Sequence, residues 1–458
     1  MFLLNRGELE YRIDPEFYVY KKTVESFRYS VKPLKSLLNV SPQYGANEMG
    51  VDRIDLETPR YIRITDIDEF GQLIEEDFGK TAETIEAKYF LNDNDLLFAR
   101  SGNTVGKAYL HKSSKVSYPC FFAGYMIRFV LNESEVLPEF VFYFTQTRFY
   151  QSWVKGNKRT AGQPNINAEE YKSLLIPIPP IEIQQQIVEK FDKAYAEKKA
   201  KEAEAREKLA SVDALVLDAL GITLPEQEEN TLEKRIFFTK SSDISSGRFD
   251  SPFYRPYFKK FNQAILKSLC QPLKNIAKFA NEVWNQEDFF DSTFPYIEIS
   301  GINTRTGEIF EVSQIEKAEA PSRARLIVRE GDILVSTTRP NRGAITLLKS
   351  KHDFHIASTG FAVIRDVREV SKEYLLLLLR HQICLSQMEQ RSSGGNYPAI
   401  TLDELQKLQI PIPPTEVQAE IAERVEAIYA EAKLLREQGA AILKSAKAEV
   451  EAMILGKS

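Results

Sequence analysis

The sequence is short of the residues that staple a fold or run chemistry. Its three cysteines, Cys120, Cys270 and Cys384, are too few and too scattered for a disulfide framework or a zinc site. Four histidines (His111, His352, His355 and His381) show no HExxH or comparable ligand spacing, so no metal site is expected. The longest apolar runs, such as Tyr374–Leu379, fall far short of the ~20 residues of a bilayer span. The opening MFLLNRGELEYRID has no cationic leader ahead of its apolar residues and does not read as a signal peptide. A cytoplasmic location without membrane contact is expected. A large excess of one charge is also missing. Sixty Lys and Arg stand against sixty-five Asp and Glu, a net charge of −5. This excludes a chain that coats nucleic acid by bulk charge, and any such binding must come from local basic patches.

Catalytic signatures are missing too. The Gly-rich loop of an S-adenosylmethionine site and the Asn/Asp-Pro-Pro-aromatic box of an amine methyltransferase are both absent. SGNTVGKAY (101–109) ends in Gly-Lys-Ala and has the wrong register for a Walker A loop. Asp95 and Asp332 read as isolated strand-start residues, not as part of a metal nuclease, and no Ser-His-Asp or Cys-His set is suggested. No catalytic residue and no bound cofactor are expected in this chain.

What the sequence does contain is itself, twice. The chain has 458 residues, about three domain-sized units at ~150 each. IPIPP occurs at Ile176–Pro180 and again at Ile410–Pro414, followed by IEIQQQIVEKF (181–191) and TEVQAEIAERV (415–425). YIRITDIDEFG (61–71) matches YIEISGINTRTG (296–307), NDNDLLFARSGNTVGKAYL (92–110) matches REGDILVSTTRPNRGAITLL (329–348), and YRIDPEFY (11–18) matches GRFDSPFY (247–254). The offset stays between 234 and 237 over all five segments, which chance matches would not do. The chain is a tandem duplication of a domain-sized unit.

Each unit begins with a mixed region. β-Branched or aromatic runs bounded by turn residues predict strands at Arg60–Thr65, Asp95–Ala99, Met126–Val130, Tyr296–Ile299, Asp332–Ser336 and Ala362–Ile364. Helices are predicted over Pro138–Val154 and Ser371–Arg391. The alternation is not a regular βα repeat, so the class is α+β. Ile-Pro-Ile-Pro-Pro cannot be helical and marks a hard boundary before a long helix in each copy. The second helix opens at Thr415 with Gln418 three residues on, a capping-box pattern. Its apolar stripe runs Ile421, Val425, Ile428, Ala432, Leu435, Gly439, Ile442, Ala446 and Met453, broken at Glu449. The first runs Ile187, Phe191, Tyr195, Ala205, Leu209, Val212, Val216 and Leu220 around the charged stretch 198–208. Matched helices of about 39 residues, roughly 60 Å long, have each other as partners in an antiparallel coiled coil. The boundaries are therefore a first domain at 1–180, a central helix at 181–221, a linker at 222–245, a second domain at 246–414 and a C-terminal helix at 415–458.

These features together resemble the specificity subunit of type I restriction–modification systems. The resemblance rests on the tandem architecture, the Pro-Ile-Pro-Pro boundary before each long helix, and the RIDPEFY and RFDSPFY openings. Where the family usually has Glu-Gln in the helix opening, this chain has Ile183-Gln184 and Val417-Gln418. The resemblance implies two pseudo-symmetric target recognition domains, each reading one half of a bipartite, asymmetric site in double-stranded DNA. It implies that the helices fix the spacer and dock two modification subunits, which methylate adenine N6 with S-adenosylmethionine. It further implies a restriction/translocase subunit using ATP and Mg. Two alternatives stay open at this stage: a recognition module for another class of DNA methyltransferase, and a helical scaffold with no DNA role.

Reading base edges takes Arg, Lys, Asn, Gln, Ser and Thr on loops that reach the major groove. Polar, basic loops fall at matched places in the two units. In unit one, 98–107 supplies Arg100, Ser101, Asn103, Thr104 and Lys107, and 154–167 supplies Lys155, Asn157, Lys158, Arg159, Thr160, Gln163 and Asn165. In unit two, 336–343 supplies Thr337, Thr338, Arg339, Asn341 and Arg342, and 389–401 supplies Arg391, Ser392, Ser393, Asn396 and Tyr397. Composition recurs while identities differ, as two readers of different sequences require. The helical aromatics Tyr143, Phe144, Phe149, Tyr150 and Trp153 are expected in the core, not on bases.

Overall fold

The structure, a computed structural model, describes residues 15–74, 78–157, 164–226, 231, 233, 236–240, 244, 248–285 and 290–456. Residues 11–14 of the first opening motif and much of the 222–245 linker lie outside them. The chain divides into two compact units, neither coinciding with one sequence repeat. Unit 1 is Met1–Ala203 together with Leu435–Ser458, and unit 2 is Glu204–Leu434.

The centre of unit 1 is a four-stranded antiparallel sheet in the order Gln43–Tyr44, Met126–Phe129, Leu96–Ala99, Ala108–Leu110. Its counterpart in unit 2 runs Ala277–Ala280, Phe361–Val367, Ile333–Ser336, Ile345–Leu347, with the same connectivity. The predicted strands at 95–99, 126–130, 332–336 and 362–364 sit in these sheets with shifted ends, whereas Arg60–Ile62 pairs with Cys120–Phe122 and Thr293–Ile297 lies in another four-stranded sheet of unit 2. The run from Arg60 stops at Ile62, because the Asp66 carboxylate accepts the Arg63 backbone N–H (2.9 Å) and guanidinium and curls Ile64–Asp66 into a 3-10 turn. The strand-start aspartates act structurally, as expected. Asp95 accepts from Asn92 N–H (2.9 Å) and Arg128 (3.1 Å), while Asp332 accepts from Arg329 N–H (2.8 Å) and Arg365 (3.0 Å). Each carboxylate closes the turn before a central strand and pairs with an arginine on the neighbouring strand.

The predicted helices over 138–154 and 371–391 are each two. The first splits into Pro138–Phe144 and Arg148–Asn157, because buried Thr145 and Thr147 turn their hydroxyls onto the carbonyls of Phe142 (2.6 Å) and Phe144 (2.7 Å). The second splits at His381, whose Nδ1 accepts the Ile383 N–H (3.2 Å) and so caps Gln382–Arg391. The expected core aromatics are buried: Tyr143, Phe144, Phe149, Tyr150 and Trp153 all pack in unit 1.

In each copy the Ile-Pro stretch forms a short antiparallel strand, Leu175–Pro177 on Val31–Pro33 and Gln409–Pro411 on Cys270–Pro272. Long helices then run over Ile181–Ala219 and Thr415–Ile454. Thr415 is the first helical residue and not the cap. The cap is Pro414, whose carbonyl accepts from Val417 (2.9 Å) and Gln418 (3.0 Å), just as Pro180 accepts from Ile183 and Gln184. The two glutamines work sideways instead. Gln184 donates to Pro179 O (2.9 Å) and accepts from Leu137 N–H (2.9 Å), and Gln418 donates to Pro413 O (2.9 Å) and Glu369 O (3.0 Å). Both are buried, so each riveted amide ties the start of its helix to its own domain.

Within each unit the two helices run antiparallel against each other. In unit 1, Lys190 pairs with Glu449 (2.5 Å) and Lys201 donates to Gln438 (2.8 Å); in unit 2, Lys208 pairs with Glu431 (2.6 Å). Unit 2 buries Val212 and Val216 with Ile421 and Val425, close to the expected stripes. In unit 1 the second helix departs from its stripe. Leu443, Val450 and Ile454 are buried in place of Ile442 and Met453, since there the helix also packs on the domain core. The charged stretch 198–208 is not merely solvated. Lys198 lies over the Phe70 ring at 4.5 Å, and Gly439 lets the second helix approach the Lys198 backbone to a distance that leaves little room for a side chain.

Candidate nucleic-acid interface

The four loops fall into two joined pairs, one per unit. In unit 1, Ser101 bridges Asn165, Gly102 N–H donates to Pro164 O (3.0 Å) and Ile166 N–H to Arg100 O (2.9 Å). In unit 2, Thr338 bridges Ala399, Arg339 N–H donates to Pro398 O (2.7 Å) and Ile400 N–H to Thr337 O (2.9 Å). The same ladder therefore presents different side chains.

Loop 98–107 is anchored from below by two buried phenols. Tyr171 donates to Ala99 O (2.7 Å) and Tyr150 to Gly106 O (2.6 Å). Burial pushes both phenols far above their ordinary pKa, so they stay protonated donors. Gly106 has φ 90°, a conformation that favours glycine, and any Cβ there would meet Val154. The unit 2 loop is fixed differently. Thr337 donates to Gly360 O (2.9 Å) and Ser336 to Thr338 O (2.8 Å). Arg339 sits at φ 48°, uncommon for a residue with a side chain. Its guanidinium donates to Asn396 O (2.7 Å) and lies 4.2 Å from the centre of the Tyr397 ring.

The sequence-selected residues are consequently used in different ways. Asn103, Lys155, Asn341, Arg342, Asn396 and Tyr397 are exposed. Arg100, Ser101, Thr337, Thr338 and Arg339 are half-buried at the loop junctions. Lys107 is turned inward, its ammonium on Ile67 O (2.7 Å), and Asn157 donates to Trp153 O (2.8 Å). Arg391 pairs with Glu404 (2.9 Å), and Ser392 donates to Met388 O (2.7 Å). The last two therefore brace the loop, a role that composition alone does not separate from presenting a side chain. Lys158, Arg159, Thr160 and Gln163 lie outside the described residues. Beneath Arg391 sits the opening motif of the second copy. Arg248 grips Asp250 (2.6 Å) and Glu404 (3.4 Å) and donates to the Arg391 carbonyl (3.0 Å).

Sequence reasoning missed two aromatic neighbours of Arg100. Tyr44 lies under its guanidinium at 4.9 Å, and the Tyr125 carbonyl accepts its N–H (2.9 Å). Neither sits in a polar, basic run, so no local signal marks them. Among the described residues no group of His, Cys, Asp and Glu could hold a metal ion, and no helix is long and apolar enough to cross a membrane. The arrangement offers hydrogen-bond donors, acceptors and cations on pre-set loops.

The chain matches the family described as Type I restriction modification DNA specificity domain over residues 61–211 and 259–444, once in each copy. It is 21% identical over 393 residues to the type I restriction enzyme MjaVIII specificity subunit of Methanocaldococcus jannaschii, covering 82% of each chain. It is 23% identical over 456 residues to the putative MjaX specificity subunit of the same organism, covering 94% of this chain and 93% of that one. A chain solved in work on complex assembly and conformational transition of the type I R-M system aligns with 94% of this chain and 98% of its own, at 15% identity and a TM-score of 0.48.

Proposed function

Because the chain belongs to the type I restriction modification DNA specificity family, we propose that each of its units reads one part of a bipartite, asymmetric DNA site through its joined loop pair. The chain is a sequence-specific DNA-recognition subunit of a type I restriction–modification system. The observation that carries the two-reader proposal is the repeated ladder, Ser101 to Asn165 and Thr338 to Ala399, with unlike side chains on matched backbones. Phosphate contacts from the loop cations would set register, and the polar side chains would read base edges in the major groove.

Under this reading the two long helices set the spacer between half-sites and dock two modification subunits. The chemistry belongs to the partners: S-adenosylmethionine to the modification subunits, ATP and Mg to a restriction/translocase subunit. The chain itself contributes no catalytic group and binds none of these cofactors, and it works in the cytoplasm. Methylation mapping in cells carrying this chain and its modification subunit tests the proposal. A two-part asymmetric site is expected. A continuous palindrome, or methylation without a gap between recognised parts, overturns it. Inserting two helical turns within 198–208 is expected to lengthen the tolerated spacer while leaving both recognised sequences unchanged.

A further inference from the structure

One large side chain beside the unit 1 loops is left mostly exposed. Tyr125 is 65% exposed, at the turn between the strands Cys120–Phe122 and Met126–Phe129. An exposed tyrosine alone needs no explanation, but this turn is held rigidly and at a particular place. Ala123 N–H donates to Ile62 O (3.0 Å), Gly124 N–H to Ala46 O (2.7 Å) and Gly45 N–H to Met126 O (3.2 Å). The last approach is so close that a Cβ on Gly45 would lie 2.3 Å from Ala123 O. The Tyr125 carbonyl in turn accepts the Arg100 N–H at 2.9 Å, so the ring stands on the backbone that carries the reading loop.

Arg100 supplies a second observation. Its guanidinium lies over the Tyr44 ring at 4.9 Å, and its buried Nε has no hydrogen-bond partner among the described residues. Tyr44 is itself 40% exposed. One arginine thus lies over one exposed ring, on a strand end, and is bonded through its backbone to the residue that carries a second, on a locked turn. Unit 2 has no ring at the matching point. There Thr337 N–H donates to the carbonyl of Gly360 (2.8 Å), and a Cβ on Gly360 would press on Ile299. An exposed ring stands instead at Tyr397, on the other loop of the pair and 71% exposed. The two units share a backbone and place their aromatic in different positions.

We propose that Tyr125 is a specificity-determining residue of unit 1, its ring packing against a base of the half-site beside the contact made by Arg100. The inference rests on the DNA-reading role assigned above to loop 98–107. A rigid aromatic contributes apolar contact to the groove face of a base at little cost in side-chain freedom. The phenol is not needed for that contact, so the ring and not the hydroxyl carries the discrimination.

The test uses the full chain assembled with its modification subunits, on duplexes carrying the methylation-mapped site. Tyr125→Ala is expected to weaken cognate binding about tenfold, to leave non-specific binding unchanged, and to erase discrimination at one base pair of the unit 1 half-site only. Tyr125→Phe is expected to stay within about twofold of the parent, on the same ground that apolar contact with the base needs no hydroxyl. Unchanged melting of both variants shows that they fold. The proposal is overturned if Tyr125→Ala binds the cognate duplex like the parent while Arg100→Ala weakens it. It is also overturned if Tyr125→Phe loses as much as Tyr125→Ala. If Arg100→Ala and Tyr125→Ala are both without effect, the reading role of the loop falls, and this inference with it.

Discussion

Arg391 and Arg342 stand on the two joined loops of unit 2, three arginines of which were selected by the same compositional pattern. Arg342 is exposed, whereas Arg391 is held against Glu404 at 2.9 Å with its Nε buried. Opposite results are expected from their removal. Arg391→Ala leaves Glu404 with less compensation and should cost about 1–3 kcal/mol, read as a lower melting temperature. Arg342→Ala should change stability by less than about 0.5 kcal/mol and lower the slope of DNA affinity against salt by about 1. The sequence could mark both as cationic, but a partner thirteen residues away leaves no compositional trace. A pH effect also belongs here. The Arg329 guanidinium, helped by Arg365 against the cost of partial burial, holds the Glu282 carboxyl below its ordinary value. A carboxyl lowered in the folded chain stabilises it above the unfolded pKa, about 4.3, and that stability is lost as pH falls through the lowered value. Melting followed against pH should therefore show unit 2 weakening in that acid window, and Glu282→Gln should flatten the dependence.

The proline boundary and the following helix were legible because proline excludes helix and a long stripe follows. What the glutamines do was not. Gln418 has capping-box spacing from Thr415, yet its amide serves Pro413 and Glu369 carbonyls, and Gln184 serves Pro179 and Leu137. These partners lie up to forty-nine residues away, beyond the reach of any local pattern. Gln184→Ala would strand a backbone N–H and lose a buried hydrogen bond, so about 1–3 kcal/mol of destabilisation is expected. Gln184→Glu keeps the acceptor for Leu137 but sets a carboxylate against the Pro179 carbonyl, and calorimetry should find it no better than alanine. The breaks at Thr145–Thr147 and His381 escaped notice for a related reason. Continuous apolar spacing cannot show that a buried hydroxyl or imidazole has claimed the backbone. The drift of the second helix from Ile442 to Leu443 arises likewise, since its last turns answer to a domain core as well as to the other helix.

Duplication is the property of the whole chain that the sequence displayed most openly, because a fixed offset survives where side chains diverge. It located all four loops, though not their joining into pairs, which depends on backbone bonds across 59 to 66 residues. Two diverged readers predict separable errors. Substitution at Asn341 and Arg342 should relax one half of the methylated sequence and leave the other intact, while Asn103→Ala should do the reverse; sequencing of modified adenines in cells distinguishes the halves. One further trait of the whole follows from how unit 1 is assembled. One helix of its pair and part of its core come from Leu435–Ser458, including Leu443, Ala446, Val450 and Ile454. A ribosome therefore begins this unit first and completes it last, after all of unit 2 has emerged. Until then the nascent first half holds an unclosed apolar seam, and a premature stop ahead of Leu435 would spoil a unit whose other residues precede all of unit 2.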